Sequence, residues 1–570
     1  MSIIGTVYED VTTDVLGQMG AWQWMVTIVS TALMTSTMFI QFEDMFLLKY
    51  TSDIVCIPPN GYECSKTSAC HIISINNSEQ LQCNTWNVRL MGMVWIRKNW
   101  VITCDHDGNL LSTAMVCRLG VMFGYVGYGL IADCFGRKKA IVLDVCANIV
   151  LRLAIVFSDS ESWFKLLVFI RSLLGSANSY MGLVLISEVA SNRWRSRLSL
   201  IVASPRLIAS VCMVPLAQSI PNSETFTIIA CLYDVLLMCF LRWTPESPQW
   251  LLFNNKISQA ENMLYTAAKK NRKRLCSDFK IRPVNNRAYY CLDENQTCME
   301  VLSTHNTRVL TLVAILFWIL KCNSWSMLYA TVYNQEQSYY FLLKILCFSG
   351  IIGCLAVVLS LKWKLRHLLM LNIFLAGVCE VAFLIFSQAG DTITSLLYSF
   401  ALAARIIAFA IILIITPRFF AINIRATLLG CCQAAGQLGA IVGYLVTTTK
   451  LMNTVAMALL GVVLTVILMI LCLIFPDVDN REMPDVLQDM DYFCELSKPL
   501  RWATQKTHSP SREEVELRTH SFGSRGRALS SRSASLARAP AQPIGFTTLW
   551  RIVSNTVRRY CNALLCKNKK

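Results

Sequence analysis

Charge is scarce in this sequence. Only 15% of its 570 residues are Asp, Glu, Lys or Arg, where a globular protein carries about 25%. Too few charges are present to cover a soluble surface for a chain of this length. Acids are the scarcer sign, 36 against 52 basic residues, for a net charge of +16. The sequence also lacks a nucleophile–base arrangement, a P-loop and a dinucleotide fingerprint. No enzyme and no cofactor is expected. None of the cysteine spacings resembles a four-ligand zinc site, so no metal is expected either.

What fills the chain is apolar: 54% of its residues are hydrophobic and the mean hydropathy is +0.47. Runs approaching the ~20 residues that cross a bilayer recur along it. Six spans are expected first, at 22–40, 112–132, 140–157, 163–186, 198–220 and 226–241. After a polar gap come six more, at 309–329, 340–361, 368–386, 393–415, 427–447 and 455–475. The fold class is therefore an all-α polytopic membrane protein with twelve helices in two six-helix halves. No cleavable signal peptide is read, because Glu9, Asp10 and Asp14 precede a first span too long for a signal core.

The placement of the basic residues rules out nucleic acid as the partner and orients the chain instead. They cluster in the 132–139 turn, in "NRWRSR" (192–197), in 242–308 and in the C-terminal tail. The short turns Pro221–Glu224 and Gln388–Asp391 carry none. The positive-inside rule then puts both termini in the cytoplasm and the 41–111 loop outside. Cys56, Cys64, Cys70, Cys83 and Cys104 lie in that loop, where disulfides are permitted; five is odd, so one stays free or pairs elsewhere. Asn76, in "NNS", is the expected glycosylation acceptor. Asn295, in "NQT", should go unused on the cytoplasmic side.

The organisation expected is 1–241 for the first half, 242–308 for a basic linker, 309–485 for the second half, 486–545 for a Ser/Arg-rich disordered tail, and 546–570 for a basic amphipathic segment. "ISQAENMLYTAAKKN" in the linker reads as a short helix. In the last segment Phe546, Leu549, Trp550, Val553, Val557, Tyr560 and Leu564 follow helical spacing among Arg551, Arg558 and Arg559, which suits a helix on an anionic lipid surface. Membrane lipids are thus a partner class, and Cys561 and Cys566 are within reach of palmitoylation.

The two sets of six read as copies. Arg137 has a counterpart in Arg366, 229 positions on; Arg195 in Arg425, 230 on; and Arg171 in Arg405, 234 on. Two copies differ in sign: Asp133 maps to Lys362, and Glu188 to Arg418. Such internal repeats are a transporter architecture with the substrate site between the halves, near the midplane.

Four stretches carry a family resemblance. They are "GLIADCFGRKK" (129–139), "PESPQWLL" (245–252), "NWVITCDHDGNLLSTAM" (99–115) and "FPDVDNREMPD" (475–485). Together they resemble the major facilitator superfamily and, within it, the organic cation/anion/carnitine transporters of solute carrier family 22. The resemblance covers roughly residues 1–490. It implies alternating access of a small organic ion or zwitterion at the plasma membrane, with the 129–139 loop latching the cytoplasmic side. Gating residues would be Asp133, Gly136, Arg137, Arg171, Glu188 and Arg195. Physically, Asp133 can accept from helix N-terminal N–H groups, Arg137 can pair with Glu188, and Gly136 permits the tight turn. Lys138 and Lys139 read as topology signals only.

Ionisable residues within spans mark pathways or pairs. Arg152, Arg171, Arg206, Lys321, Lys344 and Arg405 stand against Asp144, Asp234 and Glu380, an excess of bases that favours an anionic or zwitterionic substrate. Lys344 and Asp144 are read as paired or reaching for a span end. Lys321, Trp325, Arg405 and Gln437 are the candidate substrate-binding residues, Lys321 and Trp325 because they share a helix face. Gln437 falls where the family's cation transporters carry Asp and its anion or carnitine transporters Arg, so the charge rule is silent. Gln249 replaces the signature Arg, and the pattern after the tenth span is eroded at Arg418, Ala421 and Ile422. That erosion admits a non-transporting sensor or scaffold as the alternative. A channel is a third possibility.

Overall fold

Inside a bilayer the backbone has no water to bond, so a spanning run must satisfy its N–H and C=O groups as a helix. The computed structural model describes residues 15–47, 113–158, 161–219, 223–254, 256–273, 305–334, 363–386, 391–448 and 454–479, with short pieces within 54–88, 301–302, 345–355, 483–484 and 490. The long helices are α1 (Ala21–Leu47), α2 (Thr113–Phe135), α3 (Arg137–Val156), α4 (Glu161–Leu174), α5 (Met181–Val189), α6 (Asn192–Ser219) and α7 (Ser223–Leu241). Two short helices follow, α8 (Pro248–Phe253) and α9 (Ile257–Lys270). Then come α10 (His305–Asn334), α11 (Leu365–Phe386), α12 (Asp391–Ile415), α13 (Arg425–Thr448) and α14 (Thr454–Ile474). Five strands of three or four residues, β1 (Ile54–Cys56), β2 (Cys64–Thr67), β3 (His71–Ser74), β4 (Gln80–Gln82) and β5 (Trp86–Val88), make two small antiparallel sheets, β1–β5 and β2–β3–β4. The helical bundle is as expected; the strands in the 41–111 loop were not.

Among the described residues, seven helices are long and apolar enough to cross a membrane. Their outward faces confirm the solvent. Ile28, Phe123, Leu312, Ile385 and Val466 are among many large apolar side chains left exposed. In water such a surface would be one continuous sticky patch; against lipid it is the ordinary exterior.

Three expected spans differ in detail. The fourth is not one helix. It breaks after α4, passes through a 3₁₀ turn at Ala177–Ser179, and resumes as α5. Asp144 explains the break, since its carboxylate accepts from the Ala177 backbone N–H at 2.6 Å and from Asn148 at 3.1 Å. Asp144 is fully buried, so of the two expected readings it does not reach for a span end; its carboxylate is held inside by the first N–H of the 3₁₀ turn and by Asn148. The fifth span begins six residues early, with "NRWRSR" inside the first turns of α6. The tenth ends in a 3₁₀ turn at Thr416–Phe419. The eighth span and Lys344 lie largely or wholly outside the described residues. So do Asn76, Asn295, Cys70, Cys83, Cys104, Lys362 and everything beyond 490.

Close helix contacts rest on small residues, as between membrane helices generally. On α13, Gly430 leaves no room for a side chain against the Tyr125 carbonyl of α2, and Gly439 none against the Ile319 carbonyl of α10. The same helix is thereby held between one element of the first set and one of the second. The described part of the linker contains α8 and α9, and α9 is the helix that "ISQAENMLYTAAKKN" suggested. α8 starts on Ser247, whose hydroxyl accepts from Trp250 N at 3.2 Å, with Pro248 at the first helical position.

Candidate functional site

The site begins at one positive φ. Gly136 has φ +111°, a conformation that strains any residue with a Cβ. It lets α2 stop and α3 start without a loop. A Cβ there would also strike the Glu246 carboxylate. Glu246 stands over the start of α3 and accepts from the backbone N–H of Arg137 at 2.8 Å and of Lys138 at 3.2 Å. These are orphan donors of a helix N-terminus, at the positive end of its dipole. Burial nevertheless pushes the Glu246 carboxyl above its ordinary pKa, against the opposing pull of those backbone donors.

Four further charges assemble beside it. Arg137 donates to Glu188 through Nε at 3.1 Å and Nη2 at 2.9 Å, to the Ala132 carbonyl at 3.1 Å, and to the Ile422 carbonyl at 2.9 Å. It lies 3.2 Å from Asp133. Glu188 also accepts from Arg425 at 3.0 Å. Asp133 accepts from the N–H groups of Ala426 at 3.3 Å and Thr427 at 2.8 Å, and from the Thr427 hydroxyl at 2.7 Å. Thus Asp133 caps α13, a helix of the second set, from the end of α2. Arg137, Glu188 and Arg425 are fully buried. A buried charge is tolerated only when paired and hydrogen-bonded, and these are.

Arg195 belongs to the same end but does another job. It donates to the carbonyls of Ser187 at 2.9 Å and Ala190 at 3.2 Å, holding the end of α5. Arg171 is buried near the end of α4, where Gly175 N donates to its carbonyl at 2.7 Å.

The second set repeats part of this design. Asp479 accepts from Leu365 N at 2.5 Å and so caps α11 as Glu246 caps α3. It also accepts from the Ser196 hydroxyl at 2.6 Å. Arg418 donates to Ser196 at 2.9 Å and lies 4.0 Å from Asp479. Neither Glu246 nor Asp479 was singled out from the sequence, though both sit inside quoted motifs. The signal was present: they are 233 positions apart, within the spacing of the other repeat landmarks.

The candidate binding residues lie deeper and are only partly brought together. Lys321 and Trp325 do share a face of α10, the ammonium 5.8 Å from the indole ring. Arg405 on α12 is engaged by Glu380 of α11 in a buried ion pair. Gln437 is half-buried on α13, with no contact to the other three shown. One turn before it, Gln433 is buried with its amide nitrogen unpartnered, so α13 carries a polar stripe. Arg206 of α6, noted in the sequence without a role, stacks on Phe409 of α12 at 4.5 Å. Phe409 in turn meets Trp318 of α10 at 5.4 Å. Arg152 is paired with Asp234 at 3.2 Å. Arg118 of α2, half-buried and overlooked in the sequence, is a further intramembrane cation.

Comparison with known proteins follows the same lines. The chain is 23% identical over 437 residues to solute carrier family 22 member 4 of Mus musculus, covering 73% of this chain and 75% of the other. It is 19% identical over 424 residues to member 13 of Homo sapiens, covering 74% and 76%. Against member 2 of Mus musculus the identity is 25% over 172 residues, 30% of this chain and only 31% of the relative. In fold it is similar to the proton:xylose symporter XylE bound to 6-bromo-6-deoxy-D-glucose, with a TM-score of 0.54, 15% identity, and coverage of 82% of this chain and 99% of that one. The family model described as Major Facilitator Superfamily matches residues 105–444, more than half the chain, and the chain belongs to that superfamily.

Proposed function

We propose that this protein transports small organic ions or zwitterions across the plasma membrane by alternating access between its two sets of six helices. The observation that carries the reading is the buried cluster of Asp133, Arg137, Glu188 and Arg425. It joins the first set to the second at one end, through groups that can release as a unit. That end bears the basic 132–139 turn and "NRWRSR", so the positive-inside rule makes it cytoplasmic and closed here. Both termini are then cytoplasmic, and a central site faces outward or is occluded. Arg195 supports the gate by fixing the end of α5, and Arg171 is assigned to it by the family resemblance alone. The names of the relatives agree with a solute carrier.

The substrate path runs past Gln437, Lys321 and Trp325, with Arg405 held back by Glu380. The erosion at Ala421 and Ile422 does not argue for a non-transporting scaffold, because Arg137 takes the backbone carbonyl of Ile422. Radiotracer uptake by cells expressing the protein, run with a panel of cations, anions and zwitterions, is the test. Saturable flux stimulated by substrate on the opposite side supports the reading. Surface-expressed protein with no uptake of any panel member, or flux that never saturates, refutes it.

A further inference from the structure

Each set of helices buries an ion pair, but the two sets pack different side chains around it. In the first set Arg152 of α3 pairs with Asp234 of α7, which also accepts from Ser36 of α1. In the second, Glu380 of α11 pairs with Arg405 of α12 and accepts from the Thr465 hydroxyl of α14 at 3.5 Å. Thr465 is the repeat mate of Asp234, 465 − 234 = 231 positions on. Along the same stretch of α1 and α7 the first set packs rings. Phe39 lies 5.8 Å from Phe226 and 5.3 Å from Tyr233. At the same offset α14 carries Met457 for Phe226, Gly461 for Ala230 and Leu464 for Tyr233, and it has no aromatic residue at all.

Beside the second pair there is a cavity instead. Among the described residues it is lined from α10, α11, α12 and α14, and its walls are of three kinds. Phe383 and Tyr398 supply rings, with centroids 4.9 Å apart. Met327 and Met457 supply flexible thioethers that repack around whatever enters. Glu380 and Arg405 supply polar atoms whose charges cancel. Arg405 still keeps one donor, its Nε, buried without a partner among the described residues. Gly461 preserves the space, since a Cβ there would come within 2.9 Å of the Glu380 carboxylate.

This cavity stands apart from the path between the halves. Neither α2 nor α13 lines it, and neither do Lys321, Trp325 and Gln437. It is close to lipid instead, because α11 and α14 leave Phe374, Val378, Leu459 and Val463 exposed on their outer faces.

We propose that the cavity binds a small neutral aromatic molecule carrying one oxygen acceptor, such as an aryl ketone, taken up from the bilayer. Its ring takes the place that Phe226 fills in the first set and packs on Phe383 and Tyr398. Its oxygen answers the spare donor of Arg405. An ion does not suit the site, since its charge would be buried beside a pair that is already neutral. The proposal goes beyond the transport reading and is read by binding alone, so the failure of one is distinguishable from the failure of the other.

The test is thermal unfolding of the purified full-length protein in detergent, titrated with acetophenone and, separately, with sodium benzoate at fixed ionic strength. A ligand of the folded state raises Tm with a saturating dose dependence. The expected result is a saturating rise of a few degrees with acetophenone and none with benzoate. Met457→Phe fills the cavity from within and should abolish the rise. Leu459→Phe adds the same ring on the exposed face of α14 and should keep it. Should Met457→Phe not purify, Ala458→Leu narrows the same wall, and the same loss is expected. A native protein that does not respond to acetophenone overturns the proposal. So does an equal rise in the filled variant, or a rise with benzoate as large as that with the ketone.

Discussion

Arg425 donates to Glu188 at 3.0 Å, from the first turn of α13 to the end of α5, with both side chains withdrawn from solvent. Glu188 is shared, since Arg137 donates to the same Oε1 at 2.9 Å and to Oε2 at 3.1 Å. The two arginines are consequently not equivalent as targets. Removing Arg137 leaves Glu188 still neutralised by Arg425, whereas removing Glu188 takes the shared carboxylate from both arginines and leaves Arg137 paired with Asp133 alone.

Arg137→Ala is therefore expected to reach the cell surface near native levels while uptake falls about tenfold or more, the loss of charged hydrogen bonds being worth roughly 1.5–3 kcal/mol. Glu188→Ala should reduce surface delivery itself, since breaking a buried ion pair from one side costs about 3–5 kcal/mol. Surface biotinylation beside uptake separates the two effects. Unchanged uptake by Arg137→Ala at matched surface level would mean the motif only sets topology.

Glu246 gives a pH prediction. Its carboxyl is raised by burial, so folding favours the protonated form. The stability it contributes is full below the unfolded-state value, about 4.3, and is lost as pH rises through the higher folded value. Glu246→Gln keeps an acceptor over the start of α3 without the charge. Its Tm should match the native protein under acid conditions and exceed it toward neutral pH. A native advantage at neutral pH would show instead that the charge on the helix dipole outweighs its burial.

Gln437 is the lever on selectivity. If it lines the path, Gln437→Asp raises preference for cations and Gln437→Arg for anions. A charge ~6 Å away at an effective dielectric of ~20 contributes up to about 3 kcal/mol before screening. Competition by matched cationic and anionic inhibitors reads the ratio. Parallel losses with the ratio unchanged would assign Gln437 to helix packing.

Asn76 falls outside the described residues, and its prediction rests on topology. Asn76→Gln should abolish the glycosidase-sensitive mobility shift. A shift that persists would place Asn295 or another acceptor outside the cell.

The helices were legible because membrane spans are written in long apolar runs, and the gate because its charges interrupt those runs at Asp133, Arg137 and Glu188. The break at Ala177–Ser179 was missed. Its local signal, the "GSANS" cluster at 175–179, was passed over, and the carboxylate that holds it, Asp144, comes from another helix. The binding residues were the least legible. Arg405 reads in sequence as an open cation, and only the packing of α11 against α12 reveals Glu380 as its partner. Lys321 reads the same way, and among the described residues its ammonium meets the Trp325 ring but no hydrogen-bond acceptor.

The gate grips main chain. Asp133 holds the first N–H groups of α13, and Arg137 holds the carbonyl of Ile422. Every residue but proline offers the same N–H, and every residue the same carbonyl. The second set can thus drift in side-chain identity at 421, 422 and 426 without loosening the closure, while the first set cannot. Evolutionary tolerance should be uneven across this joint: substitutions accumulate at 421, 422 and 426, while Asp133, Arg137 and Glu188 stay fixed together with Arg425 and Thr427, whose side chains are gripped as well.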